Sequence, residues 1–143
     1  MHRTRTFIAS LFALAAIFIA VPTAAWAGSP HFIKSATTVS VSGNTLTVSG
    51  KEAGLGDVPT VHLSLTADAL CINGGGHHPK AVNKTGVATD GQFPVFNGKV
   101  DFTLDGTATF TPSCSPPMTV SFTNIKVTDT TNDITLYIPG TFP

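Results

Sequence analysis

Residues 61–71 read VHLSLTADALC, and this stretch decides the fold class. Apolar side chains occupy every odd position from Val61 to Cys71, while four of the five even positions are polar. Since successive side chains of a β-strand point to opposite faces, this period of two predicts a long strand with one face in the core. The same alternation predicts that the Cys71 side chain emerges on the core side.

Turn residues and further alternating runs surround this strand. Val39–Val41 and Leu46–Val48 alternate on either side of Gly43-Asn44, which predicts a β-hairpin. A second hairpin is predicted at Asn97-Gly98, where the alternating run Val100–Leu104 begins soon afterwards. Short strands joined by tight turns therefore extend to both sides of the opening stretch.

The parity of the apolar positions changes once near the end of the chain. Val120 and Phe122 occupy even positions, whereas Ile125 and Val127 occupy odd ones. One extra residue in a strand moves all later side chains to the opposite face, so this change predicts a β-bulge near Asn124.

About eight such runs are present, and no segment of the mature chain has helical periodicity. Lys51–Asp57, which contains two glycines, and Asp129–Asp133, which is rich in polar residues that bond their own backbone, are predicted turns. The sequence therefore predicts an all-β fold, an antiparallel β-sandwich of immunoglobulin-like general shape. A small β-barrel is the alternative.

The first residues have the pattern of a secretory signal peptide. Arg3 and Arg5 precede an apolar run from Phe7 to Ala20, and small residues follow up to Ala27. The run is shorter than the roughly 20 residues that a membrane-spanning helix needs. We therefore expect residues 1–27 to be cleaved and residues 28–143 to form a single secreted, extracellular domain without a membrane anchor.

The charge of the predicted mature chain limits its partners. Six lysines stand against eight acidic residues, a formal charge of −2 with histidine neutral. Domains that bind nucleic acids normally present a basic patch. No nucleic acid is therefore expected as a partner.

Two cysteines remain in the mature chain, Cys71 and Cys114. In an oxidising compartment we expect them to form one disulfide bond. Closing a loop of this length stabilises a fold by roughly 4 kcal/mol in the chain-entropy model. The structural role of a staple is therefore favoured over a redox role, which usually needs closely spaced cysteines.

The longest irregular segment runs from residue 73 to residue 84, and its first part is the candidate binding loop. That part consists of Asn73, Gly74, Gly75, Gly76, His77 and His78. Loops on a rigid scaffold commonly carry binding sites. As a weaker alternative, the loop binds zinc or copper through His77 and His78, because imidazole is a common ligand of both metals. A zinc site needs a further ligand, for which His62 and Asp68 are candidates.

Several segments together resemble small exported bacterial all-β proteins. They are the Cys71 and Cys114 pair, the loop Asn73–Gly76, Phe93-Pro94-Val95 before Asn97-Gly98-Lys99, and Cys114–Val120. The resemblance covers nearly all of the chain after residue 27. It implies the same all-β fold and carries no named activity.

Nothing in the sequence predicts catalysis or a cofactor. The serines and histidines lack a recognisable hydrolase signature, and Glu52 is the only glutamate. We therefore expect a secreted, non-enzymatic domain that binds an extracellular protein or a cell-envelope component through its loops. One alternative is a metal-binding protein that uses His77 and His78. The other is a secreted inhibitor that presents the Pro112–Pro117 loop.

Tyr137 is the only tyrosine of the chain, and it lies between Leu136 and Ile138. Alternation along a strand predicts that its ring points away from the side on which Leu136 lies. Sugar-binding sites commonly use several aromatic rings, whereas the mature chain has no tryptophan. This composition favours contact with a protein or an envelope component.

Overall fold

The computed structural model describes residues 28–73 and 83–143, and this part of the chain is built from β-strands. Its strands are β1 (His31–Phe32), β2 (Thr38–Ser42), β3 (Thr45–Ala53), β4 (Thr60–Ile72), β5 (Lys84–Pro94), β6 (Lys99–Thr107), β7 (Thr119–Asp129) and β8 (Ile134–Ile138). A single 3-10 turn, Lys34–Ala36, accompanies them. The predicted signal peptide lies outside the described residues.

The strands form two antiparallel sheets. In sheet 1, β3 is central: β1 and β2 pair with successive parts of one edge, and β6 pairs with the other edge. In sheet 2, the order is β5-β4-β7-β8. The prediction of an all-β fold is thus confirmed. The described residues contain eight strands, in agreement with the predicted number of about eight.

One hydrophobic core joins the inner faces of both sheets in a sandwich-like arrangement. Sheet 1 contributes residues such as Val48 and Phe102, and sheet 2 contributes residues such as Leu65 and Phe122. The two sheets approach closely at Gly106, where an added Cβ atom would overlap the Val87 side chain of the other sheet. Burying an aliphatic or aromatic side chain contributes roughly 1.5–3 kcal/mol, so this shared core is the main source of stability.

The opening stretch behaves as its alternation predicts. Val61, Leu63 and Leu65 are buried on the inner face of β4, and Cys71 is buried on the same face. Cys71 forms the predicted disulfide bond with Cys114, with 5.7 Å between the Cα atoms. The bond therefore ties the end of β4 to the segment between β6 and β7.

The two predicted hairpins have different outcomes. Gly43-Asn44 joins β2 to β3 in a hairpin whose pairing continues along five residues of each strand. At Asn97-Gly98 both residues have positive φ, and Phe96 pairs with Lys99 across the turn. The chain then separates, because β5 pairs with β4 in sheet 2 while β6 pairs with β3 in sheet 1.

The predicted turn at Lys51–Asp57 is wrong in its first half. Strand β3 continues through Lys51 and Glu52 to Ala53, and the turn begins at Gly54, whose φ is 75°. Pairing with β1 on one edge and β6 on the other extends β3 beyond its apolar run. This tertiary pairing overrides a local pattern that favoured a turn.

Candidate functional site

The outer face of sheet 2 contains an open hollow of about 610 Å³, which we call the β4–β7 hollow. It lies where β4, β5, β7 and the end of β8 meet. Its lining residues are Thr66, Ala67, Asp68, Gly86, Val87, Asn124, Ile125, Lys126, Tyr137, Ile138, Pro139 and Gly140. Four of its side chains provide charge, hydrogen-bonding groups or an aromatic ring: Asp68, Asn124, Lys126 and Tyr137.

A β-bulge in β7 creates this hollow. Thr66 pairs with Lys126 and Asp68 with Thr123, so a single β4 residue lies opposite two residues of β7. One of these two is Asn124, whose φ of 52° lies in the left-handed region that asparagine tolerates better than most residues. The bulge predicted from the change of parity near Asn124 is therefore confirmed.

The bulge also fixes the polar chemistry of the hollow. The Asn124 side-chain amide donates a hydrogen bond from Nδ2 to Asp68 Oδ2 over 2.6 Å. Both side chains are exposed, so the remaining oxygen atoms of Asp68 and Asn124 are open to solvent. This pair thus offers oriented acceptors to a polar ligand.

Gly86 keeps the floor of the hollow open. It pairs with Asp68 across β4 and β5. A Cβ atom added at this position would meet no atom of residues 28–73 or 83–143 within 4 Å. The absence of a side chain at this position therefore gives a ligand access to the β4 and β5 backbones.

An aromatic ring and a lysine form the opposite side of the hollow. Tyr137 is 67% exposed, as its predicted outward orientation requires. Lys126 pairs with Tyr137 across β7 and β8, and its Nζ atom lies 5.8 Å from the centre of the ring. Direct pairing places both side chains on the same side of the sheet. A cation over an exposed ring is attracted by about 0.5–1 kcal/mol, which favours the contact of the Lys126 ammonium group with the Tyr137 ring.

A second hollow of about 430 Å³ continues along the same face. It shares Asp68, Gly86 and Asn124 with the first hollow and extends to Lys84 and Thr123. The combined surface therefore has a lysine toward each end and the Asp68 carboxylate between them. It can bind a polar, extended ligand through hydrogen bonds, an aromatic contact and two positive charges.

Most of the predicted binding loop lies outside the described residues. Asn73 is described and exposed, whereas Gly74, Gly75, Gly76, His77 and His78 fall in the range 74–82. The proposed role of His77 and His78 as zinc or copper ligands therefore stays a prediction. Within residues 28–73 and 83–143, no group of three metal-ligating side chains occurs.

The structure separates the two residues suggested as a third metal ligand. His62 lies near the start of β4, about 33 Å along the strand from Ile72 at the rise of an extended chain. Its Nε2 atom lies 2.8 Å from Asp90 Oδ2, within the sheet. Asp68 is much closer to the loop, but it is hydrogen-bonded to Asn124.

A pair of buried carboxyl groups was missed by the sequence analysis. Glu52 on β3 and Asp129 at the end of β7 both lie in the interior with no exposed surface. Burial, together with the hydrogen bond and the negative charge of Asp129, raises the pKa of Glu52 to about 8, and burial is the largest of these causes. Leu46, Val48 and Glu52 all occupy even positions of β3. This alternation could have predicted that Glu52 points into the core.

A protonated carboxyl next to a carboxylate is the pairing used by many acid–base catalysts. Catalysis requires that such a pair touch a substrate. Neither Glu52 nor Asp129 lines the β4–β7 hollow or any of four other hollows on the described surface. The pair therefore belongs to the interior of the fold.

The proline-rich segment predicted as an inhibitory loop lies on the surface. All positions of Pro112–Pro117 are exposed except Cys114, which is partly buried. Its disulfide bond to the buried Cys71 anchors the middle of the segment. The amide of Met118 donates a hydrogen bond to the Ser115 carbonyl over 3.0 Å and closes the turn that follows.

Comparison with known proteins adds no relative. No family model matches the sequence, no curated protein is significantly similar to it, and no solved structure is significantly similar to its fold. In the described residues, no helix is long and apolar enough to cross a membrane.

Proposed function

We propose that this protein is exported and that it binds a cell-envelope component or an extracellular protein through the β4–β7 hollow, without catalysing a reaction. The observation that carries this proposal is the hollow itself. It holds an exposed aromatic ring, Tyr137, next to Lys126 and the hydrogen-bonded pair Asp68 and Asn124. Binding surfaces are enriched in such combinations of an aromatic ring with oriented polar groups.

A cell-envelope component fits the hollow better than a folded protein does. Stable protein interfaces bury about 800 Å² per partner around a hydrophobic centre. Tyr137 is the one large exposed hydrophobic residue at the hollow. The rest of the lining mixes four polar side chains and two glycines with five apolar residues, of which Ala67, Val87 and Ile125 are buried. The two lysines and the Asp68 and Asn124 oxygens instead suit a polymer with hydroxyl and anionic groups.

Export is supported by two features. The disulfide bond between Cys71 and Cys114 needs an oxidising compartment, which agrees with the signal-peptide pattern of residues 1–27. Gly28, the first residue after the predicted cleavage site, packs so closely on the turn at Gly54 that a Cβ atom would overlap the Gly54 carbonyl. The folded part thus includes the chain up to the predicted cleavage site.

We also propose that the sandwich is immunoglobulin-like in its strand order. Pairing of β2 with β3 and of β3 with β6 corresponds to strands A, B and E of that fold. The order β5-β4-β7-β8 corresponds to C′, C, F and G. The disulfide bond departs from the B–F bridge of antibody domains, because it joins the end of β4 to the segment after β6.

Co-sedimentation with insoluble cell-envelope material tests the proposed function. The exported wild-type protein should bind, and Tyr137→Ala and Lys126→Ala should each lower the bound fraction several-fold. Phe96→Ala is the matched control, because Phe96 is 72% exposed and does not line the hollow. Equal binding by all three variants and the wild type would exclude the hollow as the binding site. A parallel pull-down of soluble extracellular proteins distinguishes a protein partner from an envelope polymer.

A secreted inhibitor is the second candidate, favoured by the exposed and disulfide-anchored segment Pro112–Pro117. Such anchoring lowers the entropy lost when a loop docks into a protease. The oxidised protein should then inhibit at least one extracellular protease, and reduction of the disulfide bond should weaken that inhibition. The absence of inhibition across a broad panel of proteases would contradict this role.

A further inference from the structure

We propose that Glu52 and Asp129 form a proton-dependent latch between the two sheets, held by one shared proton and weakened in alkaline medium. Glu52 comes from β3 of sheet 1, and Asp129 comes from β7 of sheet 2. Both carboxyl groups are fully buried. The latch is independent of the β4–β7 hollow, since neither residue lines it.

The hydrogen-bonding pattern requires a proton in this pair. Neither Glu52 carboxyl oxygen receives a hydrogen bond from a donor in the described residues. An ionised carboxylate only accepts hydrogen bonds, so two ionised groups cannot bond each other. A protonated carboxyl has an O–H donor, and one proton therefore converts an unpaired buried contact into a hydrogen bond.

The proton belongs on Glu52, because Asp129 already acts as an acceptor. The Thr131 amide donates to Asp129 Oδ1 over 2.7 Å, and the Asn132 side-chain amide donates to Oδ2 over 2.6 Å. The Asn132 backbone amide adds a longer bond to Oδ1 at 3.3 Å. These donors match a carboxylate, whereas Glu52 has none of its own.

No other charge in the described residues compensates the pair. The remaining charged or titratable groups on the strands, turns and 3-10 turn of this end are all at the surface: His31, Lys34, Lys51, Asp57, His62, Asp90, Lys99, Asp101 and Asp133. Lys51 in particular points outward and forms an ion pair with Asp101. Glu52 therefore faces one charged group, Asp129, and a second negative charge there has nothing to neutralise it.

The sign of the pH dependence follows from the pKa of Glu52. It is 4.5 in an unpaired exposed glutamate and about 8 in the folded protein, mainly because of burial and further because of Asp129. Between these values the folded state keeps a proton that the unfolded state has lost. The stabilisation by this proton is complete below pH 4.5. Between pH 4.5 and pH 8, the folding equilibrium constant falls by up to tenfold per pH unit, and above pH 8 the stabilisation is lost.

Deprotonation should loosen one particular end of the sandwich. Asp129 organises the turn between β7 and β8, and this turn docks on β4. The His62 amide donates to Thr131 Oγ1 over 2.9 Å, and the Thr130 amide donates to the His62 carbonyl over 2.9 Å. Repulsion between two buried carboxylates therefore acts directly on the contact between β4 and this turn.

Titration of the Glu52 carboxyl by NMR tests the latch without any mutation. Glu52 is the only glutamate of the chain, so carbon-13 labelling of glutamate gives a single side-chain carboxyl signal. The expected midpoint lies near pH 8. A midpoint near 4.5 overturns the proposal.

Denaturant unfolding of wild type and Glu52→Gln at pH 5 and pH 8 supplies the second measurement. Glutamine keeps a neutral donor toward Asp129 and does not titrate. The residue at position 52 should therefore cause almost no pH dependence of the folding equilibrium constant in the variant. From pH 5 to pH 8 the folding equilibrium constant of the wild type should fall by up to about a thousandfold relative to that of the variant. Identical pH profiles would also overturn the proposal, and the NMR midpoint decides the matter if Glu52→Gln does not fold.

Discussion

The two ends of β4 are fastened to their neighbours by different chemistry. At its C-terminal end, the disulfide bond of Cys71 makes a covalent link whose strength depends on the redox state of the surroundings. At its N-terminal end, Leu63 pairs with Asp129, whose buried contact with Glu52 depends on pH. The hollow at Asp68 lies between these two ends of β4.

The largest effect is expected from removing the disulfide bond. Cys71→Ser combined with Cys114→Ser should lower the free energy of unfolding by about 4 kcal/mol, since the closed loop spans 43 residues. The loss should be the same at pH 5 and pH 8, unlike the effect of Glu52. Urea unfolding at both pH values measures this difference. A double variant as stable as the oxidised parent would contradict the staple.

At the other end, Asp129→Ala should lower the free energy of unfolding by about 3 kcal/mol. It removes the acceptor of three hydrogen bonds in the turn and leaves Glu52 buried without a partner. Asp68→Ala is the matched control: its exposed carboxylate has one hydrogen bond, and its loss should cost less than about 1 kcal/mol. Equal losses in the two variants would show that burial does not distinguish these carboxylates.

Between the two ends of β4, the sheets are held together by side-chain packing. Substitutions of two glycines, Gly106 and Gly86, test packing and ligand binding separately. Gly106→Ala should lower the free energy of unfolding by about 2 kcal/mol, because the new methyl group overlaps Val87. Gly86→Ala should change stability by no more than about 0.5 kcal/mol, because the added methyl group meets open space. It should still weaken binding to envelope material by narrowing the hollow. Thermal unfolding and co-sedimentation of both variants measure these effects.

At the bulge, a loss of stability smaller than that of Gly106→Ala is expected. Asn124→Ala should cost about 1 kcal/mol, since alanine is less tolerant of a φ of 52° and the hydrogen bond to Asp68 is lost. Asn124→Gly loses the same hydrogen bond but accepts this φ, so its cost should be smaller. Both should reduce binding. If the two variants were equally unstable, the left-handed backbone would not be the source of the cost.

Prediction from the sequence succeeded where a pattern depends on near neighbours in the chain. The change of parity from Phe122 to Ile125 located the bulge, and alternation with Leu136 placed Tyr137 outside. It failed at Glu52, because the glycines that follow suggested a turn while pairing with β1 and β6 kept the strand extended. The hollow itself also depends on Gly86, whose position opposite Asp68 follows only from the pairing of β4 with β5.

The sequence by itself determined the all-β class, the inward side chain of Cys71 and the left-handed turn residues at Gly43 and Asn97-Gly98. These features follow from side-chain alternation and backbone preferences, which act over a few residues. Only the tertiary structure decided that β5 leaves its hairpin partner for β4 and that Glu52 meets Asp129. The reason is physical: strand partners and buried neighbours are chosen by the whole core, in which residues 77 positions apart in the chain become adjacent.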